Sequence, residues 1–579
     1  MAMTMTDGGH LALYPRCSIC AYKVSRHERV IALFGNHDST SYRGHTRPFP
    51  FPRAGGIITR VNGRELCRYP DCKRCAVSPE FTLSHHDCFE VFRQQCSVSA
   101  SVALDRLWIL TTWKKPWDGA QPRHFPIPMV DRDTLRTISR FCGLPHLYTL
   151  PLELLEMIRQ HTKDSFVWRC IPVVQLADCA SALNPEPLFT FPLRDILSWE
   201  RGGKLERVME TWSPSPPPIL RLTVDPLGIS KVERLPDPPR YTGECASHLA
   251  FIVEDGTFIP EAVAQFKYGR LRLGLPVWLR TIPIWNTPTP PSLALCKAYP
   301  NDLTSCHIFH TVEMDKIKGI TFFFSGGKLF GINVHHSDKS CAIDTFATLP
   351  GRLRWGIVWI YLPISQHDPV LVLGIRETER FQNVLVRTAL MGDIIVASKF
   401  ATRRVVKDRC LAISAPVTMV YSEPKEGRPI RFFGSRCAPP LDQPRPAPFL
   451  LEDPGFWPVF GDAYFSWAPL SGVSSTVVFY DQDTGFCRGI LFHYLNGGVR
   501  AVGQCRLGVD PTENVARPVQ LCYRRDSPAV GPSGVTQVEF TQHDIQTHRE
   551  GWEFRSMRGV VKFWFTTTSS YLVVQDCDD

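Results

Sequence analysis

Residues 319–335 read GITFFFSGGKLFGINVH. Two apolar runs flank Ser325-Gly326-Gly327, a tight-turn signal, so the stretch predicts a β-hairpin. Residues 479–493, FYDQDTGFCRGILFH, repeat the order: aromatic strand, glycine-bearing turn, return strand opening Gly-Ile-x-x-His. Gly331, Ile332 and His335 thus correspond to Gly489, Ile490 and His493. Working outward, short β-rich runs separated by Gly, Pro, Asn and Asp fill the chain beyond the SPSPPP spacer at 213–218. They include ILRLTV (219–224), GIVWIYL (356–362), DPVLVLGI (368–375) and VVKFWF (560–565). Strands without intervening helical runs predict mainly antiparallel, sandwich-like β architecture rather than βαβ units. The repeat divides it into modules at 214–365 and 366–579. If Val334 and Phe492 face the core, alternation turns His335 and His493 outward, as surface groups.

Before residue 213 the texture is different. Residues 1–80 are loop-rich, whereas 89–113 carry Phe89, Phe92, Leu104, Leu107 and Trp108 at helical spacing. Together 1–115 form one region. A proline-rich linker, 115–130, leads to a helical segment over 131–200. There Asp131 or Asp133 caps a helix bearing Leu135, Ile138 and Phe141, with Gly143 as its stop. Pro151 suits the start of the next helix, with Leu152, Leu154, Leu155 and Ile158 as its apolar positions. Asp164 or Ser165 can cap another, carrying Phe166 and Trp168 and blurred further on by Pro172. The expected class is α+β and multidomain: an N-terminal knot and helical hairpin, then two β modules.

Of 579 residues, 44% are hydrophobic and 21% charged, which excludes a disordered or fibrous chain. The 49 prolines disfavour long helical bundles. The opening MAMTMTDGGHLALYPRC has no basic stretch followed by an apolar one, so no secretory signal is expected. Runs such as Trp355–Ile364 and Val384–Ala401 are too short or too charged to span a membrane, which takes ~20 apolar residues. The 20 cysteines therefore read as reduced thiols, some of them metal ligands, in a cytoplasmic or nuclear protein. Net charge is +9, and residues 1–80 alone carry +6. That basic end suits a solvated surface better than nucleic acid, because it contains no dense Lys/Arg run.

Cysteine and histidine spacing at the start carries the clearest chemistry. Cys17-x-x-Cys20, Cys67-x₄-Cys72-x-x-Cys75 and His85-His86-Asp-Cys88 are knuckle-like units, and zinc takes four tetrahedral N/S ligands from such units. The simplest structural zinc site joins Cys17, Cys20, His85 and Cys88, with His86 as an alternative to His85. Cys72 and Cys75 either displace one knuckle or form a second site with Cys67 and His37. All of these units together would resemble a two-zinc cross-brace such as a RING, without its compact Cys-x-His-x-x-Cys centre.

The segment at 144–183 resembles an F-box, on Leu150, Pro151, Glu153, Leu154, Ile158 and Trp168-Arg169. That resemblance implies docking of the Skp-type adaptor of a cullin ubiquitin ligase through an apolar helical face, with Leu152, Leu154, Leu155 and Ile158 as contact residues. The chain as a whole resembles a group of large fungal proteins. The shared features are the Cys-x-x-Cys start, the His-His-Asp-Cys knuckle, the helical hairpin, Ser198–Gly202 (SWERG) and Gly319–Phe323 (GITFF). This second resemblance implies no activity.

Other motifs are weaker. Asp481-x-Asp483-x-Gly485 begins like a calcium loop, but Phe486 and Phe492 stand where an EF-hand needs Gly and Glu, so a hairpin turn is expected. His307-x-x-His310 and His335-His336 fall on strands, where residues three apart face opposite sides. No Walker loop, G-x-S-x-G or H-E-x-x-H occurs, and nothing marks a nucleophile–base pair. The aromatic run Phe456, Trp457, Phe460, Tyr464, Phe465 and Trp467 would serve sugar stacking if it were exposed. The sequence thus favours an interaction or adaptor protein that grips a client, with a carbohydrate-binding β protein as the alternative.

Overall fold

A computed structural model describes residues 10–576, except 62, 70–71, 121–122, 124, 126–131, 163–164, 209–215, 277, 280–281, 300–307, 338–339, 378–381, 400–406, 437–445, 451–462, 527–533 and 545–548. The chain is α+β: seven α-helices and many mainly antiparallel sheets among the described residues. It divides into two compact units, Met1–Pro290 and Pro291–Asp579. The stretch 214–365 therefore contributes strands to both. No helix among the described residues is long and apolar enough to cross a membrane.

The first unit opens with β1 (His10–Ala12), β2 (Arg29–Gly35), β3 (Tyr42–His45), β4 (Phe49–Pro50), β5 (Ile57–Val61), β6 (Arg64–Cys67) and β7 (Phe81–His85). Strand β1 runs parallel to β6, placing His10 opposite Glu65 and Ala12 opposite Cys67. Strand β2 takes β3 and β4 on one side and β7 on the other. The apolar run at 89–113 forms two helices, α1 (His86–Gln95) and α2 (Ala100–Thr112), with Ser99 at the second N-cap position. Ser and Asp favour such starts, because their side chains compete with backbone partners inside a helix.

Helices α3 (Arg132–Phe141), α4 (Leu152–His161) and α5 (Phe166–Ala182) follow. Leu135 and Ile138 are buried as their spacing predicts, but Phe141 is exposed. Helix α5 runs unbroken through Pro172, where a blurred helix was expected. Ser165 holds its N-cap position, while Asp131 and Asp164 lie outside the described residues. One continuous core joins the Cys/His region to these helices, through Phe89, Phe92, Leu107, Trp108, Leu135, Leu155 and Trp168. Truncating a buried Phe or Trp in such a core to Ala costs ~3–5 kcal/mol. The buried Arg106 ties α2 to the end of α5 by donating to the Ala180 carbonyl at 2.7 Å.

The rest of this unit is antiparallel: β8 (Phe189–Pro192), β9 (Ile196–Glu200), β10 (Leu205–Arg207), β11 (Ile219–Asp225), β12 (Gly228–Leu235), β13 (Ala250–Glu254), β14 (Val263–Lys267), β15 (Arg270–Gly274) and β16 (Ile284–Trp285). Gly228 opens β12 at φ +108°, where a Cβ would stand 2.3 Å from the Trp113 carbonyl oxygen. Only glycine lets the strand approach the end of α2 this closely.

The second unit is a set of antiparallel meanders around its own core. Its two glycine hairpins match in register. In Gly319–Ser325 with Lys328–His335, Phe323 faces Gly331 and a bulge follows Phe323. In Val473–Tyr480 with Cys487–Tyr494, Phe479 faces Gly489 and a bulge follows Phe479. Phe492 is in the core and Val334 packs against it. The histidines do take the opposite face, but His335 is fully buried rather than a surface group. A second apolar cluster, including Phe323, Leu349 and Trp359, covers that face. His335 is held there by Thr321 Oγ1 at 2.8 Å and the Ser340 carbonyl at 3.1 Å. Burial, against a smaller opposing effect of the Ser340 carbonyl, lowers its pKa. His493 is half-buried.

Candidate metal centre

Two groups of four side chains converge in the first unit. Cys17, Cys20, His85 and Cys88 form one; His10, Cys67, Cys72 and Cys75 form the other. In each group all four ligand atoms lie within 4.8 Å of one another, close enough to hold one metal ion.

The first group is built from a turn, a strand end and a helix start. The Ala21 amide donates to the Cys17 carbonyl at 2.9 Å and Ala21 takes φ +63°, folding both thiols to one side. Ser18 fastens this knuckle to β7, its amide and hydroxyl both donating to the Leu83 carbonyl, at 2.7 and 2.9 Å. His85 ends β7, and Cys88 sits in the first turn of α1. His85 Nδ1 lies 3.4 Å from Cys20 Sγ and 3.6 Å from Cys88 Sγ, and its amide donates to Cys17 Sγ at 3.4 Å. All four residues are at most 1% exposed. His86 points away, toward Asp87 and Glu90, so His85 is the converging histidine.

On its far side, His85 Nε2 lies 3.5 Å from a Glu28 carboxylate oxygen, and Arg169 holds the other oxygen at 3.0 Å. A carboxylate behind an imidazole fixes its ring and tautomer, an arrangement common around metal-binding histidines. Burial works against ionisation of Glu28, but His85, the Ser25 amide and Arg169 hold its carboxyl below the usual range. Burial also opposes ionisation of the thiols. Cys20, Cys88 and His85 overcome this at Cys17, whose pKa falls well below the usual value, while Cys20 is pushed up by burial and Cys88 first by the neighbouring Cys17 and Cys20. One thiolate is thus stabilised and the other two are disfavoured. A divalent cation resolves that conflict, because metal ligation takes the deprotonated thiol.

The second group repeats this plan with the ring reversed. His10 Nε2 lies 3.3 Å from Cys72 Sγ, and Nδ1 lies 3.1 Å from Glu65, which Arg74 holds at 2.7 Å. The Tyr69 amide donates to Cys67 Sγ at 3.3 Å. A short 3-10 turn over Lys73–Val77 brings Cys72 and Cys75 together, the Cys75 amide donating to the Cys72 carbonyl. Partial burial resists ionisation of Cys72, but the Cys75 and Arg74 amides bring its pKa down to about 7. His10 and Cys67 are buried; Cys72 and Cys75 are half-buried. The sequence reading offered His37 as the histidine here. His37 instead lies exposed in the turn between β2 and β3, and His10 is the residue that reading missed. The ligands interleave along the chain: His10, then Cys17 and Cys20, then Cys67, Cys72 and Cys75, then His85 and Cys88.

No protein-family model matches this chain, and no curated protein is found similar to it.

Other candidates resolve differently. On α4, Leu155 is 2% exposed and packs in the core, so it cannot meet a partner. Leu152, Leu154 and Ile158 are exposed, and so is Met157, which the sequence reading did not single out. Asp481 stabilises a hairpin turn: it accepts from the Asp483 and Thr484 amides and pairs with Arg488. His310 pairs with Glu423, while His307 lies outside the described residues. In the aromatic run, Tyr464 and Phe465 are buried, and Phe456, Trp457 and Phe460 lie outside the described residues. Half-buried Trp467 carries the Arg500 guanidinium 3.7 Å from its ring centre, so that face is not open for stacking.

Proposed function

We propose that this chain is an interaction adaptor. Its N-terminal unit is braced by two structural zinc ions and docks a partner of the Skp-adaptor type through α4, leaving the β-rich unit to grip a client. The carrying observation is the phase of α4. Leu154, Met157 and Ile158 share one face and are 44%, 55% and 36% exposed, while Leu155, about a quarter-turn round the helix from Leu154, anchors it in the core at 2%. Apolar residues recurring at i, i+3 and i+4 on a solvent face are what a helix-in-groove partner reads. Zinc is the metal that best fits Cys₃His sets, in which closed tetrahedral sites are structural rather than catalytic.

The test is a pull-down of a purified Skp-type adaptor with Leu154→Asp and Leu155→Asp. Leu154→Asp should abolish capture while shifting stability by only about 0.5 kcal/mol, as exposed substitutions do. Leu155→Asp should unfold the region, because it buries a carboxylate without a partner. Failure of the wild-type chain to bind the adaptor refutes the docking reading and leaves the zinc reading to metal analysis.

A further inference from the structure

Beside the first metal group lies a cavity of about 460 Å³ within the N-terminal unit. Its walls come from the Cys17–Cys20 turn, β7, the end of α2, α5 and the β11–β12 turn. Most of the lining is apolar, including Ile19, Phe81, Leu83, Trp168, Ile171 and Leu176. Volume and lining match small-molecule sites, which run ~300–1,000 Å³ with a few placed polar groups.

The charges are one-sided. Six Lys or Arg side chains reach the lining, against one carboxylate, Asp225, which Arg201 already holds at 2.5 Å. Two of the cations, Lys114 and Arg270, have no carboxylate partner among the described residues. Lys114 Nζ donates to the Ser18 carbonyl at 2.6 Å, and Arg270 Nη1 to the Leu227 carbonyl at 3.0 Å. Arg270 is 5% exposed, and Lys114 is half-buried. Charges taken out of water without a counter-ion are costly.

We propose that this cavity is a binding site for a small organic acid with an apolar body, its anionic head seated between Lys114 and Arg270. The proposal is independent of the adaptor reading. Both cations are strained as they stand. Burial, with Arg270 adding repulsion, brings Lys114 down to about 8, and burial, with Arg201 nearby, brings Arg270 down to about 10. Arg270 has only Asp225 and Cys179 nearby to offset its charge. An incoming anion relieves both, while the apolar wall takes up the body of the ligand. Ser18, Ile19 and Cys20 belong to the wall and to the metal knuckle alike, so an intact metal group is part of the site.

The experiment compares two dyes on the metal-loaded full chain. 1-Anilinonaphthalene-8-sulfonate carries the anion, and N-phenyl-1-naphthylamine is its neutral counterpart. Wild type should bind the sulfonate saturably, one per chain, at least tenfold tighter than the neutral dye. Arg270→Met and Lys114→Met should each cost at least tenfold for the sulfonate and leave the neutral dye unchanged. Leu176→Trp, which fills the space and keeps both charges, should abolish binding of both dyes. Unsaturable sulfonate binding, equal affinity of wild type for the two dyes, or wild-type affinity in Leu176→Trp overturns the proposal. Metal content of each variant reports folding, and where a charge variant loses its metal the filled variant decides.

Discussion

Cys17, Cys20, His85 and Cys88 are sealed in the core, whereas Cys72 and Cys75 of the other group meet solvent. Both groups use three thiols and one imidazole, each imidazole backed by a Glu that an Arg holds. The depth of the supports differs. Arg169 behind Glu28 is 14% exposed in its side chain; Arg74 behind Glu65 is 63% exposed. Exposed ion pairs are worth ~0–1 kcal/mol, and screening weakens them further. One chemical set thus serves as a core element in one place and as a clasp on a surface loop in the other.

The strongest way to break this comparison is a pair of ligand substitutions. Cys88→Ser should release both metals and unfold residues 10–182, because the other group's ligands lie in the same stretch and structural zinc sites supply ~10–16 kcal/mol, comparable to a domain's whole stability. Cys75→Ser should release one metal but leave α1, α2 and α5 protected in hydrogen exchange. Equal loss of protection in the two variants would erase the distinction.

Next in size is a kinetic difference. Metal release to a chelating dye should be biphasic, with the fast phase missing in Cys75→Ser. A single phase in wild type would mean that burial does not control access.

The smallest effect is expected one step out from the ligands. Glu28→Gln should weaken the buried site ~10–100-fold, the usual effect of removing such a support. Glu65→Gln should do less at its own site, because solvent replaces a half-exposed carboxylate more readily. Competition titration checks both, and a larger effect at Glu65 would reverse the assignment.

These groups also mark where sequence reasoning ends. Cys17, Cys20 and Cys88 were legible because two-residue spacers are local geometry. His85 could not be told from His86 by spacing; the boundary between β7 and α1 separates them, turning one ring inward and the other out. His10 was not legible at all. Its place depends on the parallel pairing of β1 with β6, a contact 55 residues apart in the chain that no local pattern announces. On α4 Leu152, Leu154, Leu155 and Ile158 were legible as apolar positions, but Met157 was passed over and the phase was not legible, since Leu154 and Leu155 look equally suited to either side until Trp168 and its neighbours define the core. The two glycine hairpins were the most legible feature, as turn residues and strand alternation act within a few positions. The cover over His335 comes from the segment after its own strand and carried no comparable signal.

The interleaved order of the ligands has a consequence for assembly. Cys20 and His85 are 65 positions apart, and His10 and Cys72 are 62. An ion in the first group closes a ring of chain that contains three of the other group's ligands, and an ion in the second closes one that contains two. Once His10 meets Cys67 and Cys72, the path from Cys20 to His85 through the tie shortens to roughly 23 residues, and each halving of a loop saves ~0.6 kcal/mol of closure entropy. The first ion to bind thus raises the affinity of the second about fivefold through connectivity alone, so the two sites load cooperatively.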